Sequence, residues 1–266
     1  MTRGTDRDPA ARKRTALAGT GAAAPGRAGR AADRGMDEAE TGGPGGGLQA
    51  AMFDMDGLLV DSEPLWFEAE AAIMGRMGSP WGPADQQHLI GGSLTRSSAY
   101  MQRKAAEPVS QEVIARWLVQ GMADLIRARG VQVMPGALEL LAEVAAAGLP
   151  HALVTSAEPG IMAAALDSIG VRFPVTVCAA DVARGKPDPE PYLRAAALLG
   201  VSPERSVALE DSPTGITSAH AAGCTVVAVP SVPPPPGLAR LTVPSLRMVD
   251  LAALREAIAG RRPDHP

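Results

Sequence analysis

The sequence predicts an α/β protein with a Rossmann-like parallel sheet core and an inserted alpha-helical cap domain. Short runs that are apolar throughout alternate with amphipathic stretches that end in glycine. Strands that are buried on both faces have this composition, and their alternation with helices favours a parallel sheet. One block of roughly 70 residues interrupts the alternation with helical periodicity alone, which predicts the cap.

Five apolar runs are the predicted strands of the core, at residues 48–54, 151–156, 175–180, 206–211 and 224–230. The amphipathic stretches are the predicted core helices, at residues 136–147, 160–169, 189–199, 213–222 and 250–259. Glycine follows four of these stretches, where helix C-termini are expected to end. Aromatic residues make up 3% of the chain, so we expect a core of aliphatic residues and methionine.

This pattern divides the chain into segments. The predicted segments are the core at residues 48–65 and 135–260, the cap at residues 66–134 and a tail at residues 261–266. Residues 1–47 lack isoleucine, valine and aromatic residues, and a segment that buries so little apolar area is expected to be disordered. A basic arm or a targeting peptide remains an alternative for this extension, as does an overlong start upstream of Met36 or Met52.

Composition argues against several classes of protein. The formal charge of −4 gives no reason to expect a nucleic acid partner. No stretch approaches the ~20 apolar residues of a membrane helix, and we predict no secretory segment. Cys178 and Cys224 lie in apolar runs and are expected to be buried free thiols. We therefore expect a cytoplasmic monomer that acts on a small molecule.

Polar and charged residues follow the ends of four predicted strands. They are, in chain order, Asp54 and Asp56, Thr155 and Ser156, Lys186, and Glu210 and Asp211. Because the carboxyl ends of parallel strands meet at one edge of a sheet, these side chains are expected to converge there. Four carboxylates would then share a small volume with one lysine.

Repulsion among these carboxylates predicts a bound divalent cation. Two unit charges ~4 Å apart repel by ~4 kcal/mol at an effective dielectric of ~20. Oxygen ligands suit a hard ion, and Mg²⁺ fits best because it keeps water ligands and shares a substrate phosphate. The sequence has no His or Cys cluster with zinc spacing. With Mg²⁺ and Lys186 in place, the site can accept a dianionic phosphate.

Each residue type in this cluster suits one step of phosphoryl transfer. Asp54 can act as the nucleophile. Crowding raises the pKa of one carboxyl, so a protonated Asp56 can give its proton to a leaving alkoxide and later take one from water. The hydroxyl of Thr155, or alternatively that of Ser156, can hold phosphate oxygens. Lys186 can stabilise charge on the transferring group.

Four segments carry a resemblance to a known family. "FDMDGLLVDSEP" (53–64), "ALVTSA" (152–157), "RGKPDPEPY" (184–192) and "VALEDSPTGI" (207–216) occur in the order and spacing of the haloacid dehalogenase-like hydrolase superfamily. The resemblance covers about residues 48–260, and the helical block resembles the cap of that superfamily. The most similar subgroup is that of the β-phosphoglucomutase-like phosphatases, which hydrolyse small sugar or polyol phosphates.

The resemblance implies specific roles. Asp54 matches the nucleophile that becomes an aspartyl-phosphate, and Asp56 matches the acid/base residue whose backbone carbonyl also binds Mg²⁺. Thr155 matches the phosphate-binding hydroxyl, and Lys186 matches the lysine that pairs with nucleophile and phosphate. The implied metal ligands are Asp54, Asp56, Glu210 and Asp211.

Three departures separate this sequence from the sugar phosphate mutases of the subgroup. Trp66 stands where those mutases have a histidine, Ile90 stands before Gly91 in place of a lysine, and Glu158 replaces a second lysine. Return of the phosphate to the same sugar is therefore not supported. We predict a Mg²⁺-dependent phosphatase that hydrolyses a small phosphomonoester through an aspartyl-phosphate.

Three other functions stay open at this point. The first alternative is a β-phosphoglucomutase-type sugar phosphate mutase. The second is hydrolysis of a carbon–halogen bond on the same fold, which needs neither the metal nor Asp56. The third is a binding module without catalytic activity, which the complete set of catalytic groups disfavours.

Overall fold

The computed structural model describes residues 47–89 and 92–260. The predictions of a disordered extension and of a C-terminal tail therefore lie outside the described residues, except at Gly47, and so do those for Ile90 and Gly91. Within the described residues, no helix combines the length and the apolar character needed to cross a membrane.

A parallel sheet forms the centre of the molecule. Among the described residues its strands are β1 (Ala50–Phe53), β4 (His151–Val154), β5 (Val175–Val177), β6 (Ser206–Glu210), β7 (Thr225–Ala228) and β8 (Leu241–Thr242). Their order in the sheet is β5-β4-β1-β6-β7-β8, and all neighbours are parallel. The predicted fold class is confirmed, and β8 is a short edge strand that was not predicted.

Strand β1 lies between β4 and β6, so both of its edges are hydrogen-bonded to neighbouring strands. Met52 pairs with Ala152 on one side and with Ala208 on the other. These three residues belong to one apolar cluster, whereas Phe53 and its neighbours on the opposite face belong to another. Burial on both faces explains why the strands are apolar throughout rather than alternating.

Helices cover both faces of the sheet. They are α5 (Ala137–Ala146), α6 (Pro159–Ile169), α7 (Glu190–Leu199), α8 (Pro213–Ala221) and α9 (Leu251–Ile258). Their bounds agree with the predicted stretches to within one or two residues. Gly170 and Gly200 adopt the left-handed conformation with φ of 69° and end α6 and α7, as their positions predicted.

A second group of helices is inserted after β1. It consists of α1 (Glu63–Arg76), α2 (Pro83–Leu89), α3 (Leu94–Lys104) and α4 (Gln111–Arg129). Their own apolar cluster contains Ile73, Met74, Met77, Met101, Ile114 and Leu118. The C-terminal half of α4 instead packs against α6, and Met122, Ala123 and Ile126 join the apolar cluster of the sheet. The inserted helices therefore share part of the core of the molecule.

The chain leaves and re-enters the sheet through a small antiparallel pair, β2 (Val60–Asp61) and β3 (Gln132–Val133). Strand β3 lies within the block at residues 66–134, and it corrects the prediction that this block is helical throughout. Helix α1 begins at Glu63, three residues before the predicted start of the cap at residue 66. A two-residue strand is too short to show the period of two by which a strand is recognised in a sequence.

Candidate active site

The chain turns sharply after β1 and brings two aspartates to the edge of the sheet. The backbone N–H of Asp54 donates to the carbonyl of Leu209 at 3.1 Å, which extends the pairing of β1 with β6 by one residue. Gly57 follows with a φ of +80°, and a Cβ atom there would overlap the carboxylate of Asp211. Glycine is therefore required both for the turn and for the close approach of Asp211.

Lys186 lies at the centre of the site, and its side chain is almost completely buried. Its Nζ donates to Asp54 Oδ1 at 2.5 Å, to Glu210 Oε1 at 2.6 Å and to the carbonyl of Val154 at 2.8 Å. These contacts use all three hydrogens of the ammonium group. Lys186 thus joins the ends of β1, β4 and β6.

Glu210 is fully buried, and five hydrogen bonds reach its carboxylate. Lys186 Nζ and the hydroxyl of Tyr192 donate to Oε1. The backbone N–H groups of Asp211 and Ser212 and the Ser212 hydroxyl donate to Oε2. The two residues that precede α8 fix this carboxylate on one side, and Lys186, together with Tyr192 of α7, fixes it on the other.

Three carboxylates form a compact group. Ligand oxygens of Asp54, Glu210 and Asp211 all lie within 4.8 Å of one another. The side chain of Asp56 lies outside this group, and its Oδ1 accepts a hydrogen bond from the Ser62 hydroxyl at 2.5 Å. The predicted convergence of charged groups at one sheet edge is therefore present, but Asp56 faces a different neighbour.

The end of β4 distinguishes between the two candidate hydroxyls. Thr155 is 3% exposed, its N–H donates to the carbonyl of Val177, and its Oγ1 accepts from the N–H of Ala157 at 3.0 Å. The Thr155 hydroxyl hydrogen is then available for a ligand oxygen. Ser156, the next residue, is exposed. The geometry favours Thr155 as the hydroxyl that faces the site.

Burial makes this collection of charges costly. Burial raises the pKa of Asp54 well above its ordinary value, and the carboxylates of Glu210, Asp211 and Asp56 add to that rise while Lys186 opposes it. Burial and the Glu210 charge raise the pKa of Asp211 to about 7. Burial also raises the pKa of Asp56, against the hydrogen bond from Ser62.

The donor set fits a hard divalent cation. Three carboxylates against the single ammonium group of Lys186 leave an excess of two negative charges when all are ionised. All the available ligand atoms are oxygens, which suit a hard ion. Burial is the main cause of the raised pKa values of Asp54 and Asp211, and the neighbouring carboxylates add to it, so a cation at this position would favour their ionised forms.

Sequence reasoning missed three polar side chains that contact the predicted residues. Tyr192 donates to Glu210, Ser62 donates to Asp56, and Ser231 donates to Asp211 Oδ2 at 3.2 Å. Tyr192 and Ser62 lie within the quoted segments "RGKPDPEPY" and "FDMDGLLVDSEP", so their proximity to the site could have been inferred. Ser231 lies in a proline-rich loop after β7 and gave no comparable signal.

A parallel α/β core, a helical insertion after its first strand and an acidic site with a buried lysine define a capped hydrolase. Residues 51–229 match the profile of the haloacid dehalogenase-like hydrolase family. The chain belongs to that family. The predicted family and its β-phosphoglucomutase-like phosphatase subgroup are thereby confirmed.

Named relatives support the same assignment. Hexitol phosphatase A of Escherichia coli (strain K12) is 35% identical over 181 residues, which are 67% of this chain and 81% of the relative. CbbY from Rhodobacter sphaeroides, solved in complex with phosphate, superposes with a TM-score of 0.71 at 27% identity, over 78% of this chain and 99% of CbbY. A β-phosphoglucomutase from Clostridium difficile shares the fold, with a TM-score of 0.65 at 22% identity over 79% of this chain and 97% of that one.

Proposed function

We propose that this protein is a Mg²⁺-dependent phosphatase that hydrolyses a small sugar or polyol phosphate through an aspartyl-phosphate on Asp54. The observation that carries the proposal is the contact of the buried Lys186 ammonium with both Asp54 and Glu210, beside the carboxylate of Asp211. The relatives named as phosphatases support hydrolysis of a phosphomonoester. We propose a small phosphorylated metabolite as its substrate and the cytoplasm as its cellular location.

Asp54 attacks phosphorus in the first step. The hydrogen bond from Lys186 to Oδ1 restrains rotation of the Asp54 carboxylate, which favours in-line attack by one of its oxygens. The ammonium group also neutralises charge that develops on the transferring phosphoryl oxygens. The hydroxyl of Thr155 donates to a phosphate oxygen from the neighbouring strand end.

Asp56 handles the proton in both steps. Burial raises the pKa of its carboxyl group, which favours the protonated form that gives a proton to the departing alkoxide. After the alcohol leaves, the ionised Asp56 takes a proton from the water that attacks the aspartyl-phosphate. The hydrogen bond from Ser62 holds the carboxyl group in one orientation during both transfers.

Asp54, Asp211 and the backbone carbonyl of Asp56 would hold Mg²⁺ directly. Glu210 lies in the same cluster, but its oxygens already receive five hydrogen bonds, so it adds negative charge beside the ion. When bound, Mg²⁺ supplies charge neutralisation for the substrate phosphate. The side chains of the protein orient the substrate phosphate and carry out the two proton transfers.

The mutase alternative is tested by its product. Trp66, at the position of the mutase histidine, packs against apolar clusters of both the sheet and the inserted helices. We expect β-glucose 1-phosphate, if it is accepted, to yield free phosphate and glucose. Formation of glucose 6-phosphate as the main product would favour the mutase.

Turnover measurements test the phosphatase directly. We expect p-nitrophenyl phosphate and a panel of hexitol and hexose phosphates to release phosphate with Mg²⁺ and not after chelation. Asp54→Asn should lower kcat by about 10³-fold or more, because it removes the nucleophile. The matched control is Asp167→Asn, which changes an exposed carboxylate paired with Arg172 and should leave kcat unchanged. Turnover retained by Asp54→Asn would exclude the proposed nucleophile.

A further inference from the structure

Tyr192 contacts the charged centre of the site from the first turn of α7. It is fully buried, and its hydroxyl donates to Glu210 Oε1 at 2.7 Å. The same oxygen accepts from Lys186 Nζ at 2.6 Å, and that nitrogen lies 5.3 Å from the centre of the Tyr192 ring. Tyr192 therefore touches both partners of the buried Lys186–Glu210 ion pair.

Residues at the start of α8 hold the other side of the Glu210 carboxylate. Oε2 accepts from the N–H groups of Asp211 and Ser212 at 3.1 and 3.3 Å and from the Ser212 hydroxyl at 3.2 Å. A Cβ atom at Gly215 would overlap the carboxylate, so the backbone of α8 also covers one of its faces. With Oε2 fixed in this way, the position of Oε1 depends on Tyr192 and Lys186.

The hydroxyl of Tyr192 contributes a hydrogen bond, whereas its ring contributes apolar packing. A phenylalanine ring would fill the same apolar space between α7 and the sheet, where Ala195 and Ala196 also pack. A buried hydroxyl is favourable only when it is hydrogen-bonded, and here its partner is a carboxylate that also binds the lysine. Burial and the Glu210 charge raise the pKa of Tyr192, so the hydroxyl remains a donor.

We propose that Tyr192 is a positioning residue for phosphoryl transfer, which acts through Glu210 to hold the Lys186 ammonium against Asp54. The inference rests on the proposed function. Without the hydroxyl, Glu210 Oε1 would be left with Lys186 alone and would draw the ammonium away from Asp54. Because Lys186 acts mainly on charge that develops in the transition state, the loss should fall on kcat rather than on KM.

Kinetics of Tyr192→Phe provide the first test. We expect kcat to fall about tenfold with KM within about twofold of the wild type, the size typical of losing one hydrogen bond to a charged group. The matched control is Ser206→Ala, which removes another fully buried hydroxyl, 2.8 Å from the carbonyl of Ser202, at the opposite end of β6. A kcat for Tyr192→Phe within twofold of wild type, or an equal loss in Ser206→Ala, would overturn the inference.

A second readout does not depend on turnover. We compare the free energies of unfolding of four proteins in a double-mutant cycle. They are the wild type, Tyr192→Phe, Lys186→Met and the double variant. We expect the double variant to lose less stability than the two single variants together, since both changes break one network. The pair of Ser206→Ala with Lys186→Met should instead be additive. Additive losses for Tyr192 and Lys186 would overturn the positioning role even if the protein proved inactive on every phosphate tested, which would separately refute the proposed function.

Discussion

Gly215 in the first turn of α8 lies so close to Glu210 that a side chain there would overlap the carboxylate. The same helix start supplies the Ser212 groups that donate to Glu210 Oε2. The absence of a side chain at Gly215 therefore sets the distance between the helix and the acidic group. Gly215 makes no hydrogen bond to Glu210, but its lack of a side chain determines where the carboxylate of Glu210 lies.

Substitution of Gly215 by alanine should damage both stability and activity. We expect Gly215→Ala to lower the free energy of unfolding by about 1–3 kcal/mol, the typical cost of overpacking, and to reduce kcat because Glu210 must move. Thermal unfolding and steady-state kinetics measure the two effects.

Gly160 offers a matched control at the start of α6. A Cβ atom there would meet no described atom within 4 Å. Gly160→Ala should leave activity unchanged and stabilise the protein by up to about 1 kcal/mol, since it lowers the entropy of the unfolded chain. Equal behaviour of the two variants would contradict the packing argument for Gly215.

At the scale of single residues, the sequence was informative about the charged groups and less so about their partners. Asp54, Lys186, Glu210 and Asp211 could be predicted to converge, because each follows a strand whose carboxyl end lies at the same sheet edge. The hydrogen bond from Tyr192 could not be derived in that way. It depends on the rotation of α7 about its axis, which packing against the sheet decides.

At the scale of elements, helix α1 buries a carboxyl group that has no evident role in the site. Glu70 is 3% exposed, and neither its Oε2 nor the nearby Trp81 Nε1 has a hydrogen-bond partner among the described residues. Burial raises the pKa of Glu70 to about 7. Its proton is therefore retained in the folded protein at pH values where the unfolded chain has lost it.

This shift predicts a pH-dependent stability. The contribution of protonated Glu70 to the free energy of unfolding is complete below about pH 4.5, the ordinary pKa of glutamate. It is lost as the pH rises through about 7, the pKa of Glu70 in the folded protein. Glu70→Gln should remove this dependence and stabilise the protein at pH 8 by an amount on the order of 2 kcal/mol. Denaturant unfolding at pH 5 and pH 8 measures the difference.

The control for this prediction lies on the same helix. Glu68 is 42% exposed and pairs with Arg129. Glu68→Gln should keep the pH dependence of the wild type, because its carboxyl group remains in contact with water. A pH profile that is the same in the wild type and Glu70→Gln would show that Glu70 does not titrate as proposed.

The elements themselves were predictable where their periodicity was long enough. The core helices α5 to α9 and the five central strands were located from patterns of five or more residues. The prediction missed α2, β2, β3 and β8. Three of these are two-residue strands, and α2 has seven residues with Leu89 alone buried, so it lacks the apolar stripe that marks a helix.

At the scale of the whole molecule, the inserted helices were predicted as a cap domain distinct from the core. Interruption of the strand pattern predicted a helical block at residues 66–134, whereas its first helix begins at Glu63 and its last helix ends at Arg129. The pattern could not reveal that α4 extends beyond the apolar cluster of the inserted helices and packs against α6. A helix that packs against two partners along its length has the same hydrophobic period as a helix that packs against one partner.

The excess of negative charge at the site predicts that Mg²⁺ stabilises the folded protein. A ligand that binds only the folded protein adds about 2.7 kcal/mol at a concentration 100 times its Kd, or several degrees in Tm for a chain of this size. The shift should be larger at pH 8 than at pH 6, since the pKa of Asp211 is about 7 without the ion and protons compete with it.

Thermal unfolding in Mg²⁺ and in chelator measures this effect. Asp211→Asn should lose most of the Mg²⁺ shift, whereas Asp167→Asn, which changes an exposed carboxylate, should keep it. An undiminished shift in Asp211→Asn would place the ion elsewhere.

Trapping of the covalent intermediate tests the central claim most directly. The protein is mixed with a phosphomonoester that it turns over and Mg²⁺, quenched in acid within the first turnover and treated with borohydride, which reduces an acyl phosphate to an alcohol. We predict that residue 54 alone is recovered as homoserine, and that Asp54→Asn gives no such product. Steady turnover with Asp54 unmodified, or with the phosphoryl group on another side chain, would contradict the account.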